Sequence, residues 1–179
     1  QMCIRDSDNG QKMEEGRLKN EKKHGTWTAW YENGQLKFSY TYNDKKNQRS
    51  LEKYEISGEL SSRGSFDNDT NNRIGVWEFY EAGGLVKKGS YNEQGEKEGL
   101  WTGLEKIFFK NGKMDGLYEK FENGKIVEKG YYSDGKKEGI YITTMKDGRE
   151  KTEEYEKGEL IFEKNVSATG RNEIFYDGD

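Results

Sequence analysis

The sequence predicts an all-β fold, an open antiparallel meander made of one β-hairpin repeated along the chain. Three observations predict it. Turn glycines recur at Gly10, Gly34 and Gly58, each 24 residues after the last, and then at Gly83 or Gly84, Gly112, Gly124 and Gly148, with Gly170 as the final candidate. Eight positions beyond the turn glycine stands a large apolar residue in five copies: Leu18, Tyr42, Phe66, Tyr91 and Tyr132. A second marker, glycine-x-aromatic, recurs as Gly25-Thr26-Trp27, Gly75-Val76-Trp77, Gly99-Leu100-Trp101, Gly116-Leu117-Tyr118 and Gly139-Ile140-Tyr141. A fixed period of this length marks stacked supersecondary units. Alternation close to two within each segment makes those units strands rather than helices.

Composition bounds what such a sheet can be. Hydrophobic residues make up 30% of the 179, charged residues 36%, and the mean hydropathy is -1.23, values that lean toward disorder. The aromatic share of 13% reverses the lean. Each half-buried ring contributes roughly 2 to 3 kcal/mol against a backbone cost of about 1 to 2 kcal/mol per ordered residue, so stability is expected to be modest and spread along the chain. The chain has no proline and 23 glycines, as expected of paired strands that turn often. Thirty basic residues against 34 acidic ones give a net charge of -4, which argues against a general binder of nucleic acid or anionic membranes.

Taken in order, residues 1–7 share nothing with the repeat and read as a translated sequencing adapter on a metagenomic fragment. Cys3, the one cysteine, then carries no argument about redox compartment. On this reading the natural start lies upstream, where a signal sequence would have been lost, and localisation is left open with a lean to the cytoplasm. Residues 8–163 hold the hairpin repeats. In the copy without the glycine, Leu51 takes the aromatic position after Arg49-Ser50. Asp67 to Asn72 is a longer polar turn. Between Gly99 and Gly116 the spacing falls to 17, and Leu104 to Phe109 reads as an added or rearranged strand. Gly116 to Gly139 is the clearest unit: Leu117 to Glu122 and Ile126 to Tyr132 flank Asn123-Gly124, the pair that accepts positive φ at both centres of a type I′ turn. Residues 164–179 form a partial or capping repeat in which Asn172 to Tyr176 reads as one more strand.

The repeated motif, clearest at Gly25 to Leu36, Gly75 to Tyr91 and Gly116 to Gly139, resembles the MORN-repeat variant of bacterial proteins. The resemblance spans most of residues 10–163. It implies a single-sheet hairpin solenoid used for protein interaction, with the YwqK-type antitoxin label that bacterial members carry. It brings no catalytic residues.

The residues themselves point to no reaction centre. His24 is the only histidine and sits in a charged turn beside Lys22 and Lys23, without a cysteine or second histidine at metal-ligand spacing. Paired carboxylates such as Glu153-Glu154 read as a solvated face. No enzyme activity, cofactor or metal is expected. Trp27, Trp77, Trp101, Tyr118 and Tyr141 should align on successive hairpins as one core row, and Tyr42, Phe66, Tyr91 and Tyr132 as another. A sheet without a covering layer leaves part of such rows to receive a partner, and Trp30, Tyr31, Phe79 and Tyr80 are the candidate contacts. Lys22, Lys23, Lys45, Lys46, Lys97, Lys136 and Lys137 read as a mixed, solvated edge because acids interleave. The leading expectation is a scaffold that binds another protein, antitoxin-like, whose partner would be a toxin. The rivals are an exported or lipid-anchored envelope protein and a peripheral membrane binder, while nucleic acid is not an expected partner.

Overall fold

The computed structural model describes residues 2–6, 12–166 and 172–175. The expected turn glycines Gly10 and Gly170, and Tyr176 at the end of the expected last strand, lie outside the described residues. Among those described every regular element is a strand, and contacts gather in two units, Gln1–Glu96 and Lys97–Asp179. The first unit runs β1 (Met2–Asp6), β2 (Lys12–Lys19), β3 (Lys22–Trp30), β4 (Leu36–Asn43), β5 (Gln48–Tyr54), β6 (Leu60–Asp67), β7 (Arg73–Glu81) and β8 (Gly84–Tyr91). Each strand pairs antiparallel with the next. The second unit is again a meander, through β9 (Lys97–Gly103), β10 (Glu105–Lys110), β11 (Lys113–Glu122), β12 (Lys125–Ser133), β13 (Lys136–Thr144), β14 (Glu150–Glu156), β15 (Glu159–Val166) and β16 (Asn172–Phe175).

Two turn designs recur, and each follows from its residues. At Asn123-Gly124 both φ values are positive, 50° and 74°, as a two-residue hairpin with right-handed twist requires. The longer turn at Gly34 closes with its N–H bonded to the Tyr31 carbonyl at 2.9 Å and the Tyr31 N–H bonded to the Gln35 carbonyl at 2.8 Å. The same pair of bonds recurs around Gly58 and Gly148. In the polar turn after β6, the Asp67 carboxylate accepts from the Asp69 and Thr70 backbone N–H groups and from the Thr70 hydroxyl. The compressed segment is a full strand: β10 pairs with both β9 and β11.

A single sheet has no second layer to bury its core, yet Trp27, Trp77, Trp101, Tyr118 and Tyr141 are all buried, Tyr141 completely. For Trp27, Trp77 and Tyr141, glycine on the preceding strand makes this possible. A Cβ at Gly16 would lie 2.1 Å from the Trp27 ring, one at Gly64 2.2 Å from the Trp77 ring, and one at Gly130 2.4 Å from the Tyr141 ring. The rings therefore lie down on bare backbone. Register slips at the same three glycines, between Glu15 and Arg17, Arg63 and Ser65, and Lys129 and Tyr131. The indole N–H groups of Trp27 and Trp77 donate to the carbonyl just beyond the glycine, Arg17 at 2.9 Å and Ser65 at 3.1 Å.

The copy that lacks the marker reverses the sizes. Tyr40, 24 residues after Gly16 and 24 before Gly64, occupies the glycine position, and buried Leu51 faces it in register. Large over small has become small over large, which conserves volume in a close-packed layer. In the compressed copy Ile107 faces Tyr118.

Candidate functional site

At Trp27, Trp77 and Tyr141 the aromatic face is built in three tiers: backbone glycine, ring, and a cation above the ring. Lys23 stands 4.0 Å from the Trp27 ring centroid, Arg73 4.5 Å from Trp77, Lys97 4.9 Å from Trp101 and Lys137 4.3 Å from Tyr141. Each cation lies four residues before its ring, so the full motif is basic-x-Gly-x-aromatic. Cation-π attraction and burial of the aliphatic stem hold these side chains down. Lys23, Lys97 and Lys137, expected on a solvated edge, are thus lids of the aromatic row.

The second aromatic row fills the gaps. Phe66 and Tyr91 stand edge-on to Trp77, both at 84°, and Tyr132 stands edge-on to Tyr118 and Tyr141 at 85° and 89°. Tyr42 sits at the end of this row, 6.3 Å from Tyr40. These four rings are half-buried. Burial, above all, pushes the Tyr118 and Tyr141 hydroxyls well above the ordinary tyrosine range. The Tyr132 hydroxyl raises Tyr141 further without meeting hydrogen-bond geometry, so the buried Tyr141 hydroxyl has no such partner among the described residues.

Trp30, Tyr31, Phe79 and Tyr80 are half-buried and are not gathered in one place. The Tyr31 hydroxyl donates to the Tyr54 carbonyl at 2.9 Å, and Lys12 lies over Trp30. Phe79 stacks on Trp77 at 6.0 Å. Tyr80 points to the opposite face, where its hydroxyl donates to Glu78. Lys88, Arg63 and Tyr80 together hold the Glu78 carboxyl at about 2. Beside Glu78, Arg63, Val76, Ser39, Thr41, Ser50 and Ser65 make a shallow polar depression. His24 is paired through Nδ1 with Asp44 at 2.7 Å.

The feature that sequence reasoning passed over lies on the non-aromatic face of the second unit. The x residue of glycine-x-aromatic points away from the ring face by strand alternation. In the first unit it is Thr26 or Val76, and in the second Leu100, Leu117 and Ile140. Phe108 pairs with Leu100 and Tyr131 with Leu117, so they share that face. The row Leu100, Phe108, Leu117, Tyr131, Ile140 crosses five successive strands, and its members are 40% to 59% exposed. Phe108 is seated against bare backbone, since a Cβ at Gly116 would meet its Cβ at 2.8 Å.

The row has charged flanks. On one side Lys106, Glu119 and Lys129 are consecutive register partners, with Lys106 and Glu119 3.6 Å apart. On the other stand Glu98, Asp115 and Glu138, each accepting the backbone N–H of a later turn residue, Asn111 at 2.9 Å, Asp134 at 3.4 Å and Lys157 at 2.8 Å. These acids fix the hairpin turns; Lys110, next after Phe108 on the same face of β10, stands on their side of the row, and Glu119 lies between the two lysines on the other, so both flanks carry mixed charge.

One copy of the repeat in each unit now has a family likeness. Residues 23–44 and 114–134 match the MORN repeat variant. The first match runs from the Lys23 lid through β4, and the second covers β11, its type I′ turn and β12. The tiered ring stack thus extends through copies beyond those two MORN segments. No curated protein matches the chain.

Proposed function

We propose that this chain is a non-enzymatic repeat scaffold that binds another protein, and that the row Leu100, Phe108, Leu117, Tyr131 and Ile140 is its contact surface. The carrying observation is the row's exposure. At roughly 100 Å² for each side chain the five leave about 500 Å² of apolar surface in one patch, within the size range of the largest patch on a typical monomer, which is often functional. The aromatic face supports the same choice by default, because its rings are already covered by cations and by one another. The MORN likeness supports a scaffold role. Its finer form here is antitoxin-like: the row would cover an apolar patch of a toxin encoded beside this gene.

The test is co-expression of the chain with the product of the neighbouring gene. Co-purification at a fixed ratio, rescue of growth where that product is toxic, and loss of both in Leu117→Lys with Ile140→Lys would support the reading. Binding that survives this double substitution but fails in Trp30→Ala or Tyr80→Ala would place the contact elsewhere and refute the row.

A further inference from the structure

We infer that Asn123 is a site of spontaneous modification, where the side-chain amide closes onto the Gly124 nitrogen as a succinimide and opens to aspartate or isoaspartate. Every Asn-Gly pair has this chemistry within reach, because glycine places no side chain in the way of the ring. The fold decides which pair uses it.

Three Asn-Gly pairs fall among the described residues, at 33–34, 111–112 and 123–124, and Asn9-Gly10 lies outside them. Asn33 is held at both ends of its amide: Nδ2 donates to the Ile56 carbonyl at 3.2 Å, and Oδ1 accepts the Gln35 N–H at 3.0 Å. The Gly34 N–H, whose nitrogen would be the nucleophile, donates to the Tyr31 carbonyl at 2.9 Å. At the second pair the Asn111 N–H donates to the Glu98 carboxylate at 2.9 Å and the Gly112 N–H to the Lys97 carbonyl at 3.0 Å, so that tip is tied back to β9. Two further tips are tied in the same way, Gly135 to the Met114 carbonyl at 2.8 Å and Gly158 to the Lys137 carbonyl at 2.9 Å. Asn123-Gly124 has none of these restraints. Among the described residues the Gly124 N–H makes no such bond, Asn123 is exposed, and a Cβ at Gly124 would meet nothing within 4 Å.

The reaction needs only water. The Gly124 nitrogen gives up its proton and attacks the Asn123 side-chain carbon Cγ. The N–Cγ bond forms, the Cγ–Nδ2 bond breaks, and Nδ2 leaves as ammonia. One water then opens the ring. Opening at Cγ restores the ordinary chain with an aspartate side chain at 123, and opening at the backbone carbonyl carbon reroutes the chain through the side chain as isoaspartate. Both products add a negative charge beside Glu122, whose register partner is Lys125. The aspartate product keeps the turn, because Asp-Gly also suits type I′ geometry. Isoaspartate adds one backbone carbon and breaks the two-residue closure of the β11–β12 hairpin, the hairpin that carries Leu117 and Tyr131.

The experiment is incubation of the folded full-length chain in mildly alkaline buffer, with peptide mapping by mass spectrometry at all three pairs and isoaspartyl methyltransferase labelling to count isoaspartate. A parallel sample is incubated in urea. In the folded chain Asn123 is expected to convert at least roughly tenfold faster than Asn33, which has three hydrogen bonds to open, and at least roughly threefold faster than Asn111, which has its tip bonds to open. In urea the three rates should converge. Asn123→Gly keeps a turn of the same type, since Gly-Gly also suits it, and should remove most of the methyl-accepting signal, with far-UV circular dichroism confirming the fold. Earlier conversion at Asn33 or Asn111 overturns the inference. So does the same order with the same ratios in urea, which would assign the difference to sequence rather than to fold. A folded chain in which none of the three converts while the urea sample does also overturns it, because the free tip would then be closed to the reaction.

Discussion

Gly64→Ala should cost far more than the removal of a glycine from a turn. The new methyl carbon would lie 2.2 Å from the Trp77 ring, so the indole must lift off the sheet. Lifting breaks the bond from the indole N–H to the Ser65 carbonyl at 3.1 Å and disturbs Arg73, 4.5 Å above. Overpacking alone costs about 1 to 3 kcal/mol, and a lost hydrogen bond adds about 1 kcal/mol, so the expected loss is roughly 2 to 4 kcal/mol. Gly34→Ala is the comparison. Its φ of 82° strains any side chain but its Cβ meets nothing within 4 Å, and left-handed strain alone costs about 1 to 2 kcal/mol. Urea unfolding followed by tryptophan emission gives both values. A Gly64→Ala loss no larger than that of Gly34→Ala would refute the argument that glycine seats the ring. The pair Gly64→Ala with Trp77→Leu copies the Tyr40 and Leu51 exchange in kind, and should be more stable than the sum of its singles by at least about 1 kcal/mol.

Three further outcomes follow from the same tiers and from the charged face. Tyr141→Phe removes a buried hydroxyl without a hydrogen-bond partner among the described residues, so thermal unfolding should show no loss and up to about 1 kcal/mol of gain. Lys97→Ala uncovers the Trp101 ring and should cost about 0.5 to 1 kcal/mol with a red-shifted emission; an unchanged spectrum would deny the lid. Glu78, whose carboxyl falls from 4.5 to about 2 in the folded chain, contributes stability that is present above pH 4.5 and lost as pH falls toward 2. Glu78→Gln should therefore flatten the acid limb of the urea midpoint in that window, and an unchanged limb would reject Glu78 as its source.

The strand order was legible because the hairpins are local. Asn123-Gly124 dictates its own turn, and the spacing from Gly116 to Gly139 allows little but the next antiparallel partner. The tiers were less legible, because each involves residues on two strands. Gly16 and Trp27 are eleven apart and Gly64 and Trp77 thirteen, so no fixed offset shows that one seats the other. The lysine lids were visible as a motif, four residues ahead of each ring, but their charge alone reads as solvent-facing. Only the distance from Lys23 to the Trp27 ring separates a lid from an edge.

The contact surface was hidden for a different reason. Aromatic residues carry the strongest signal in this sequence, and that signal belongs to the structural face: rings large enough to bind a partner are also large enough to serve as core when the backbone beneath them is glycine. Variation between copies is the better guide. The ring position keeps an aromatic in five markers, while the residue before it is Thr26 in one and the exposed apolar Val76, Leu100, Leu117 and Ile140 in the others. A position that turns apolar along a repeat array without becoming buried does no work for the fold. Its side chains lower the solubility of the free chain and are stabilising only where something covers them. That reasoning, applied to alternation alone, places Leu100, Leu117 and Ile140 opposite the rings. Their register partners Phe108 and Tyr131 required the pairing of β9 with β10 and of β11 with β12.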